Sequence, residues 1–326
     1  MSAPGEQPWR LAPVEEARAL LPGAPVAARA MPLAQAIGHV LAAPLRAAAA
    51  VPARATALRE GWAVAAAATE GAGPYAPAAL PGLAWVAPGE ALPPGTDAVL
   101  PAFARDGALV LEAVAPGEGV RPAGEDAAAG AVLRRAGHRL GPLDLLLATA
   151  GVGAVSVRVP RVALHGMAGL AALLRAEGAA LAEEGAEDGD RDRAGLAIAP
   201  AGAAERVLCP AVALRPGEAV AVGLVGGVPA LLLPPDPAGM LAGWWLLGRP
   251  AVRAMAGGAM AGGAAPVRAR VTLARKVASP LGFTEAVMLD ADGMPVGALG
   301  AAAWVLVVPP GREGHEAGAV VEVEAV

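Results

Sequence analysis

The sequence predicts a strand-rich, multi-domain α/β chain with a β-rich arm, a central α/β layer and a C-terminal β-barrel. Three observations favour this class. The 326 residues are enough for two or three compact units. Hydrophobic types make up 56% of the chain, which is ample material for cores. Short apolar runs alternate with Gly, Pro and Asp turns over most of the length, and helical patterns separate some of them.

The N-terminal stretch is predicted to be helical. Pro13 is followed by Glu15 and Glu16, and acid in a first turn interacts favourably with the helix dipole. Apolar residues then recur at helical spacing over 31–42, which predicts a second helix. Residues 142–151 return to a helical pattern, with proline at the start and glycine as the stop.

Between Val51 and Leu133 the pattern predicts a small β-rich domain, because short apolar pieces alternate with closely spaced turns. Its predicted strands are 62–66, 83–86, 98–101, 108–114 and 131–133.

The central segment predicts an α/β layer, because apolar runs alternate with helical patterns at 167–182 and 239–256. Its candidate parallel strands are 162–164, 196–198, 220–223 and 230–233. The last segment, 266–326, contains strand patterns only and predicts a small closed or half-closed barrel.

Composition excludes several function classes. The net charge is −5 and Lys276 is the only lysine, so a basic nucleic-acid-binding stripe is not expected. Cys209 is the only cysteine, which excludes an internal disulfide framework and a multi-cysteine metal site. The longest uncharged runs are broken by Gly and Pro, and no signal peptide precedes them. We therefore expect a cytoplasmic protein without a membrane partner.

Nucleophiles and metal ligands are scarce. No serine lies in a Gly-x-Ser-x-Gly turn, the four histidines form no i,i+4 pair, and no phosphate-binding glycine loop occurs. Cys209 lies in an apolar patch, which favours a buried, unreactive thiol over a nucleophile. The charge run at 183–195 is predicted to be a solvated loop.

Carboxylates on Gly/Pro-rich turns remain as chemical candidates: Glu60, Glu125, Asp126 and Asp236. Oxygen ligands on loops suit a Mg²⁺ ion that keeps most of its waters and bridges to a substrate phosphate. Asp236 has a second interpretation, because it precedes a predicted helix and is then simply its N-cap.

Several segments occur in the order found in one known family. They are PVEEARALL (13–21), 31–47, VPARATALREGWAV (51–64), PGEALPPGTDAVLP (88–101), 116–164, LRPGEAVAVG (214–223), 231–257 and 308–324. On these segments the chain resembles a shortened and divergent member of the MoeA and gephyrin E-domain family, the molybdopterin molybdenumtransferases. The stretch 116–164 is the most specific, because it contains an Arg-x-x-Gly-Glu-Asp signature.

The resemblance implies an elongated chain of four domains. A helical linker domain comprises 1–50 and 134–160, and a β-rich arm comprises 51–133. A shortened, molybdopterin-binding-like three-layer α/β domain follows at 161–257, and a C-terminal β-barrel at 266–326. The family also pairs as a dimer, so a homodimer is expected.

The resemblance further implies a reaction in which adenylated molybdopterin is hydrolysed with Mg²⁺ and molybdate, releasing AMP and leaving molybdenum on the dithiolene sulfurs. Matching positions give three sets of candidates: catalytic, at Glu60, Asp126 and Asp236; metal-holding, at Asp126 and Asp236; and cofactor-binding, at Arg121, Glu125, Pro234 and Pro237.

The chain departs from the family pattern at several of its functional positions. An aspartate is replaced by Glu60, a threonine by Pro88, and a Thr-Gly-Asp-Glu turn by His165–Ala168. The Thr-Ser-Gly-Gly-Val-Ser strand and loop, expected between about 200 and 206, is absent. A lysine is replaced by Glu218, and this reversal of charge disfavours an anion.

Three hypotheses therefore remain at the level of sequence. The chain is an active, Mg²⁺-dependent molybdenumtransferase with a remodelled site. Alternatively, it is a non-catalytic pseudoenzyme that binds molybdopterin as a carrier, with a molybdoenzyme or a family paralogue as its partner. In the third hypothesis the fold serves only as a dimeric scaffold.

Overall fold

The computed structural model describes residues 11–182, 194–257, 267–298 and 300–326, so the charge run at 183–193 lies outside the description. The chain forms two compact units. The larger comprises Met1–Ala43, Arg135–Pro142 and Val155–Val326, and the smaller comprises Pro44–Arg134 and Leu143–Ala154. The division into four domains stays a prediction.

Strands dominate the described chain, and most are short. Those of the first part are β1 (Ala28–Pro32), β2 (Val40–Leu41), β3 (Leu45–Arg46), β4 (Thr56–Ala57), β5 (Gly61–Val64), β6 (Ala78–Ala79), β7 (Ala84–Val86), β8 (Ala98–Leu100), β9 (Arg105–Asp106), β10 (Leu109–Val110), β11 (Val120–Arg121) and β12 (Val132–Arg134). Those of the second part are β13 (Ala154–Arg158), β14 (Arg161–Leu164), β15 (Ala180–Ala182), β16 (Leu196–Pro200), β17 (Arg206–Cys209), β18 (Leu214–Arg215), β19 (Ala221–Val225), β20 (Val228–Leu233), β21 (Arg268–Thr272), β22 (Val277–Ala278), β23 (Thr284–Leu289), β24 (Trp304–Val308), β25 (Gly314–His315) and β26 (Val320–Ala325).

Helices are few. The α-helices are α1 (Val14–Ala19), α2 (Ala171–Ala176), α3 (Pro237–Gly243) and α4 (Arg249–Met255), and a π-helical turn at Trp244–Gly248 joins the last two. A longer 3₁₀ helix covers Pro142–Ala150. Among the described residues, no helix has the length and apolar character needed to span a bilayer.

The smaller unit is the β-rich arm that the turn pattern predicts. It contains two three-stranded sheets, ordered β7-β5-β8 and β6-β10-β9, and the strand pairs β11-β4 and β12-β3. Trp62 of β5 faces Trp85 across the strand pair, and their rings meet edge to face at 5.0 Å. The guanidinium of Arg105 lies 4.1 Å from the Trp62 ring centroid. Trp62 also packs against an apolar cluster that includes Val64 and Leu100.

The larger unit begins with α1, as the acidic first turn predicts, but the helix predicted over 31–42 is wrong. This segment contains β1, a 3₁₀ turn and β2, and both strands pair with β13. Gly38 turns the chain with φ +88°, and the neighbouring Val40 and Leu41 are both buried. Pairing with a distant strand outweighs the helical spacing, because two apolar residues in succession also suit a strand buried on both faces.

A six-stranded mixed sheet forms the centre of the larger unit, in the order β15-β14-β16-β20-β19-β17. The strands β15, β14, β16 and β20 are parallel. The prediction that 220–223 forms a parallel strand is wrong, because β19 pairs antiparallel with β20. Gly226 and Gly227, at φ +58° and +71°, form the two-residue hairpin turn that reverses the chain between them.

The helix predicted over 167–182 is only partly confirmed. A 3₁₀ turn and α2 end at Ala176, and residues 180–182 form β15 instead. Gly178, at φ +78°, provides the left-handed position that ends the helix. The helical pattern predicted over 239–256 is confirmed by α3, the π-helical turn and α4.

The described part of the last segment, 267–298 and 300–326, contains strands and no helix, as predicted. A five-stranded sheet has the order β18-β23-β24-β26-β21, and β22 pairs with β25 beside it. Its core contains Leu289, Leu306 and Val321, which are all buried.

An ion-pair cluster lies at the C-terminal end of α2. Glu177 accepts hydrogen bonds from Arg249 at 2.6 Å and from Arg253 at 2.9 Å, both on α4. Arg139 lies 3.7 Å from the same carboxylate. Arg249 also stacks 3.9 Å from the ring centroid of Trp245. The cluster therefore ties the turn after α2 to the far end of the helical segment that starts at Pro237.

Candidate functional site

Three of the predicted site residues meet on one loop of the smaller unit. Arg121 ends β11, and its Nε donates a hydrogen bond to Glu125 at 3.0 Å. A second guanidinium nitrogen of Arg121 pairs with Asp126. The backbone amide of Asp126 also donates to the Val51 carbonyl at 2.9 Å. One arginine thus offsets two carboxylates on a loop that backbone hydrogen bonds fix against the preceding chain.

Glu60 lies between β4 and β5 on the same unit, and its side chain is exposed. No hydrogen bond or ion pair joins it to Arg121, Glu125 or Asp126 among the residues that the structure describes. Its neighbour Gly61 is buried against β8, where a Cβ would overlap the backbone oxygen of Leu100. Close strand packing therefore explains this glycine, and it places the Glu60 carboxylate at a solvent-facing bend.

The carboxyl ends of the parallel strands form a second candidate location, in the larger unit. The chain passes from β14 outward to β15 and returns to β16 on the other side of β14. A sheet of this kind binds ligands outside the carboxyl ends of the strands where the winding direction changes, here between β14 and β16. His165 follows β14, and its amide donates to the Ile198 carbonyl at 2.9 Å. Ala201–Ala203 follow β16 as a 3₁₀ turn.

This edge is lined by small residues. A Cβ built on Gly166 or Gly202 would meet no atom within 4 Å, so space is open in front of both strands. Over 200–206, where the family pattern has a strand and loop, β16 ends at Pro200 and a 3₁₀ turn follows at Ala201–Ala203.

Asp236 lies on the loop that follows β20 at the same edge. It is the N-cap of α3, and its Oδ1 accepts a hydrogen bond from the Gly239 amide at 2.7 Å. The N-cap interpretation is therefore confirmed. Pro234 is buried and Pro237 begins the helix, where its fixed φ and missing amide are tolerated. The run of prolines thus sets the direction in which the chain leaves the sheet.

Glu218, which stands at the family's lysine position, lies near a cation. Arg215 is 3.4 Å from its Oε1, and the Gly217 amide donates to its Oε2 at 3.3 Å. This half-exposed ion pair partly offsets the negative charge of Glu218, but it does not give the position the positive charge that a lysine would supply.

The predicted magnesium ligands do not assemble into a centre within either unit. Asp126 belongs to the smaller unit and Asp236 to the larger. Asp126 is paired with Arg121, and Asp236 caps α3. In the described ranges, no group of three His, Cys, Asp or Glu side chains is placed to hold a metal ion. Within each unit, these donors do not fit a preformed Mg²⁺ site.

Cys209 is buried, as the apolar pattern predicts. Burial raises the pKa of its thiol, so the neutral form is favoured. It lines a groove of about 160 Å³ together with Leu20 and Leu208. A weak 3.5 Å contact with the Ala211 carbonyl is its hydrogen bond.

Two features of the larger unit escape prediction from sequence. The ion-pair cluster around Glu177 is one, and its signal is the pair Arg249 and Arg253 at i,i+4 in an otherwise apolar helix. The open edge at His165 and Gly202 is the other. Its signal is the position of Gly, Pro and His directly after buried apolar runs.

The fold and these locations define a strand-rich, multi-domain α/β protein. Residues 12–151 match the family model of the MoeA N-terminal region (domain I and II). This match makes the N-terminal part of the chain similar to MoeA proteins. No curated protein matches the chain by sequence.

Several solved structures are similar to this chain in fold. Two are structures of the molybdopterin biosynthesis MoeA protein from Pyrococcus horikoshii, at 21% and 22% identity and TM-scores of 0.76 and 0.75. Each alignment covers 97% of this chain and 99% or 100% of the other. A molybdenum cofactor biosynthesis protein from Pyrococcus furiosus is similar at 19% identity and a TM-score of 0.62, over 97% of this chain and all of the other. At these identities the likeness shows the fold.

Proposed function

We propose that this chain acts in molybdenum cofactor biosynthesis by binding molybdopterin or adenylated molybdopterin at the carboxyl edge of β14, β16 and β20. The observation that carries the proposal is the change of winding direction between β14 and β16 in a chain with the MoeA fold. The open space before Gly166 and Gly202 allows a planar ring system to approach the backbone.

Molybdate insertion with release of AMP is the second candidate function, and the exposed carboxylate of Glu60 favours it. This carboxylate lies within the matched N-terminal region and keeps the acid of the family motif, one methylene longer. In that reaction the adenylate phosphoanhydride is hydrolysed to AMP and the molybdopterin phosphate, and the dithiolene sulfurs take up molybdenum.

The edge is tested with Gly202→Trp, which fills the open space in front of β16. We expect the variant to bind molybdopterin at least about tenfold more weakly in anaerobic fluorescence titrations, with an unchanged melting temperature. Gly153→Trp is the matched control, since Gly153 also has open space around it but belongs to the smaller unit. Equal binding by the two variants would place the ligand elsewhere.

Catalysis is tested by measuring AMP release from adenylated molybdopterin with molybdate and Mg²⁺, beside an active family member. Repeated turnover that is lost in Glu60→Gln would establish the transferase. Binding without release would establish a carrier. If neither binding nor release occurs, the proposed function is wrong and the scaffold hypothesis remains.

A homodimer is part of the proposal, supported by an apolar face on the 3₁₀ helix Pro142–Ala150. Leu143 and Leu146 lie three residues apart, on the same side of a 3₁₀ helix, and are 79% and 67% exposed. Leucines exposed to this extent on neighbouring turns are typical of an interface.

We expect the double variant Leu143→Glu/Leu146→Glu to be monomeric at concentrations where the unmodified chain is dimeric, because a buried carboxylate pair opposes association. Light scattering after size exclusion measures the mass. Leu58→Glu, at a 61% exposed leucine of the same unit, is the control. A double variant that stays dimeric would exclude this face as the interface.

A further inference from the structure

We infer that ligand binding by this chain does not depend on Mg²⁺, because the two acids predicted to hold the metal serve the fold. This inference rests on the proposed function, since it concerns how the same ligand is held.

The first argument is the charge around Asp126. The guanidinium of Arg121 contacts both Asp126 and Glu125, so two negative charges are offset by a positive charge at hydrogen-bond distance. A divalent cation on either carboxylate would face that guanidinium directly. Like charges at this separation repel, and Mg²⁺ gives up its hydration water only for strong anionic ligands.

The second argument is the backbone of the same loop. The Gly124 amide donates to the Pro52 carbonyl at 2.9 Å, and the Asp126 amide donates to the Val51 carbonyl at 2.9 Å. These bonds hold the loop where Arg121 reaches both acids. Backbone hydrogen bonds therefore keep the guanidinium beside both acids, although the half-exposed ion pairs contribute little stability themselves.

The third argument is the use of Asp236. Its Oδ1 accepts the Gly239 amide, one of the donors that a helix start leaves without an intrahelical partner. Within the described part of the larger unit, no group of three potential ligands gathers around it. A lone exposed carboxylate that already caps a helix is a poor Mg²⁺ ligand.

The experiment has two readouts on the whole chain. Calorimetry measures Mg²⁺ binding to the protein alone, and fluorescence titration measures molybdopterin binding in Mg²⁺ and in EDTA. We expect no saturable heat at millimolar Mg²⁺ and affinities equal within about twofold in the two buffers. Weakening of about tenfold or more in EDTA, or saturable Mg²⁺ binding that Asp126→Asn or Asp236→Asn abolishes, would overturn the inference.

A pair of variants separates the structural role of Asp236 from a metal role. Asn at this position keeps a capping oxygen but no charge, whereas Ala removes both. We expect Asp236→Asn to keep the melting temperature and Asp236→Ala to lower it, with or without Mg²⁺. If both variants lower the melting temperature equally, with and without Mg²⁺, the fold requires the charge of Asp236 rather than its capping oxygen. If the proposed function is wrong, molybdopterin binds in neither buffer. Calorimetry then still measures whether the chain binds Mg²⁺.

Discussion

Replacing Glu177 with alanine is expected to lower the free energy of unfolding by about 3 kcal/mol, because it takes the nearest carboxylate from the buried Arg249, which is left with Glu324 at 3.4 Å. The Glu177 and Arg249 side chains are only 11% and 10% exposed, and their atoms lie 2.6 Å apart. Arg253 and Arg139 complete the set around the same carboxylate. The loss is measured as the shift of the urea unfolding curve followed by tryptophan fluorescence.

A matched control removes the same charge from the surface. Glu15 pairs with Arg18 at 2.9 Å on α1, but its side chain is 78% exposed. Glu15→Ala is therefore expected to cost no more than about 1 kcal/mol. Similar losses in the two variants would show that burial of the Glu177 cluster adds nothing to stability.

The same cluster predicts a dependence on pH. Burial raises the pKa of Glu177, but hydrogen bonds and charge from Arg253 and Arg249 outweigh it and hold this pKa below its ordinary value of 4.5. A carboxyl group with a depressed folded pKa stabilises the fold above its unfolded pKa, and this contribution disappears as the pH falls through the folded value. The difference in stability between the unmodified chain and Glu177→Gln should therefore be full near neutral pH and shrink below pH 4.5. A difference that grows as the pH falls would contradict this sign.

Turn chemistry made most of the arm predictable. Between Val51 and Leu133, glycines and prolines divide the apolar runs into pieces too short for helices, and the strands β5, β7, β8 and β12 fall within those pieces or one residue from them. The central strands were predictable for another reason. Strands covered on both faces are continuous apolar runs, as at β16 and β20.

The errors arise where a distant partner decides the structure. The spacing of Leu33, Ile37 and Val40 fits a helix, but Val40 and Leu41 pair with β13, more than a hundred residues away, and the Leu41 amide donates to the His138 carbonyl. The direction of β19 depends on the Gly226–Gly227 hairpin, and an apolar run carries no sign of direction. The pattern of neighbouring residues does not determine which distant strand a segment pairs with, or in which direction.

The site shows the same limit. The resemblance selected Asp126 and Asp236 by position, and carboxylates on loops suit Mg²⁺ in principle. The sequence could not show that Arg121 already engages Asp126. The spacing of Asp236 before a predicted helix did indicate the capping role that the structure contains. The residue types therefore predicted that carboxylates are present, whereas the contacts in the structure show that one pairs with an arginine and the other caps a helix.

Leu231→Ala is expected to cost about 2–5 kcal/mol, because it removes a fully buried side chain from the centre of the six-stranded sheet. Leu231 lies opposite Ile198 on β16 and Val222 on β19 and has no exposed surface. A Cβ on Gly248 would lie 3.0 Å from its methyl group, so the sheet and the helical segment pack without a gap there. A cavity at this point cannot close without moving the strand that ends just before Pro234.

Leu281→Ala is the matched control for this core substitution, since the same atoms are removed from a leucine of the same unit that is 58% exposed. It should change the free energy of unfolding by no more than about 0.5 kcal/mol. Urea unfolding of both variants, followed by far-ultraviolet circular dichroism, measures the difference. Because β20 positions the loop of Asp236 and α3, a large loss at Leu231 alone would mean that the shortened central layer has a core able to hold the candidate edge in place. Equal small losses would mean that it has none, and the proposed ligand site would lose its support.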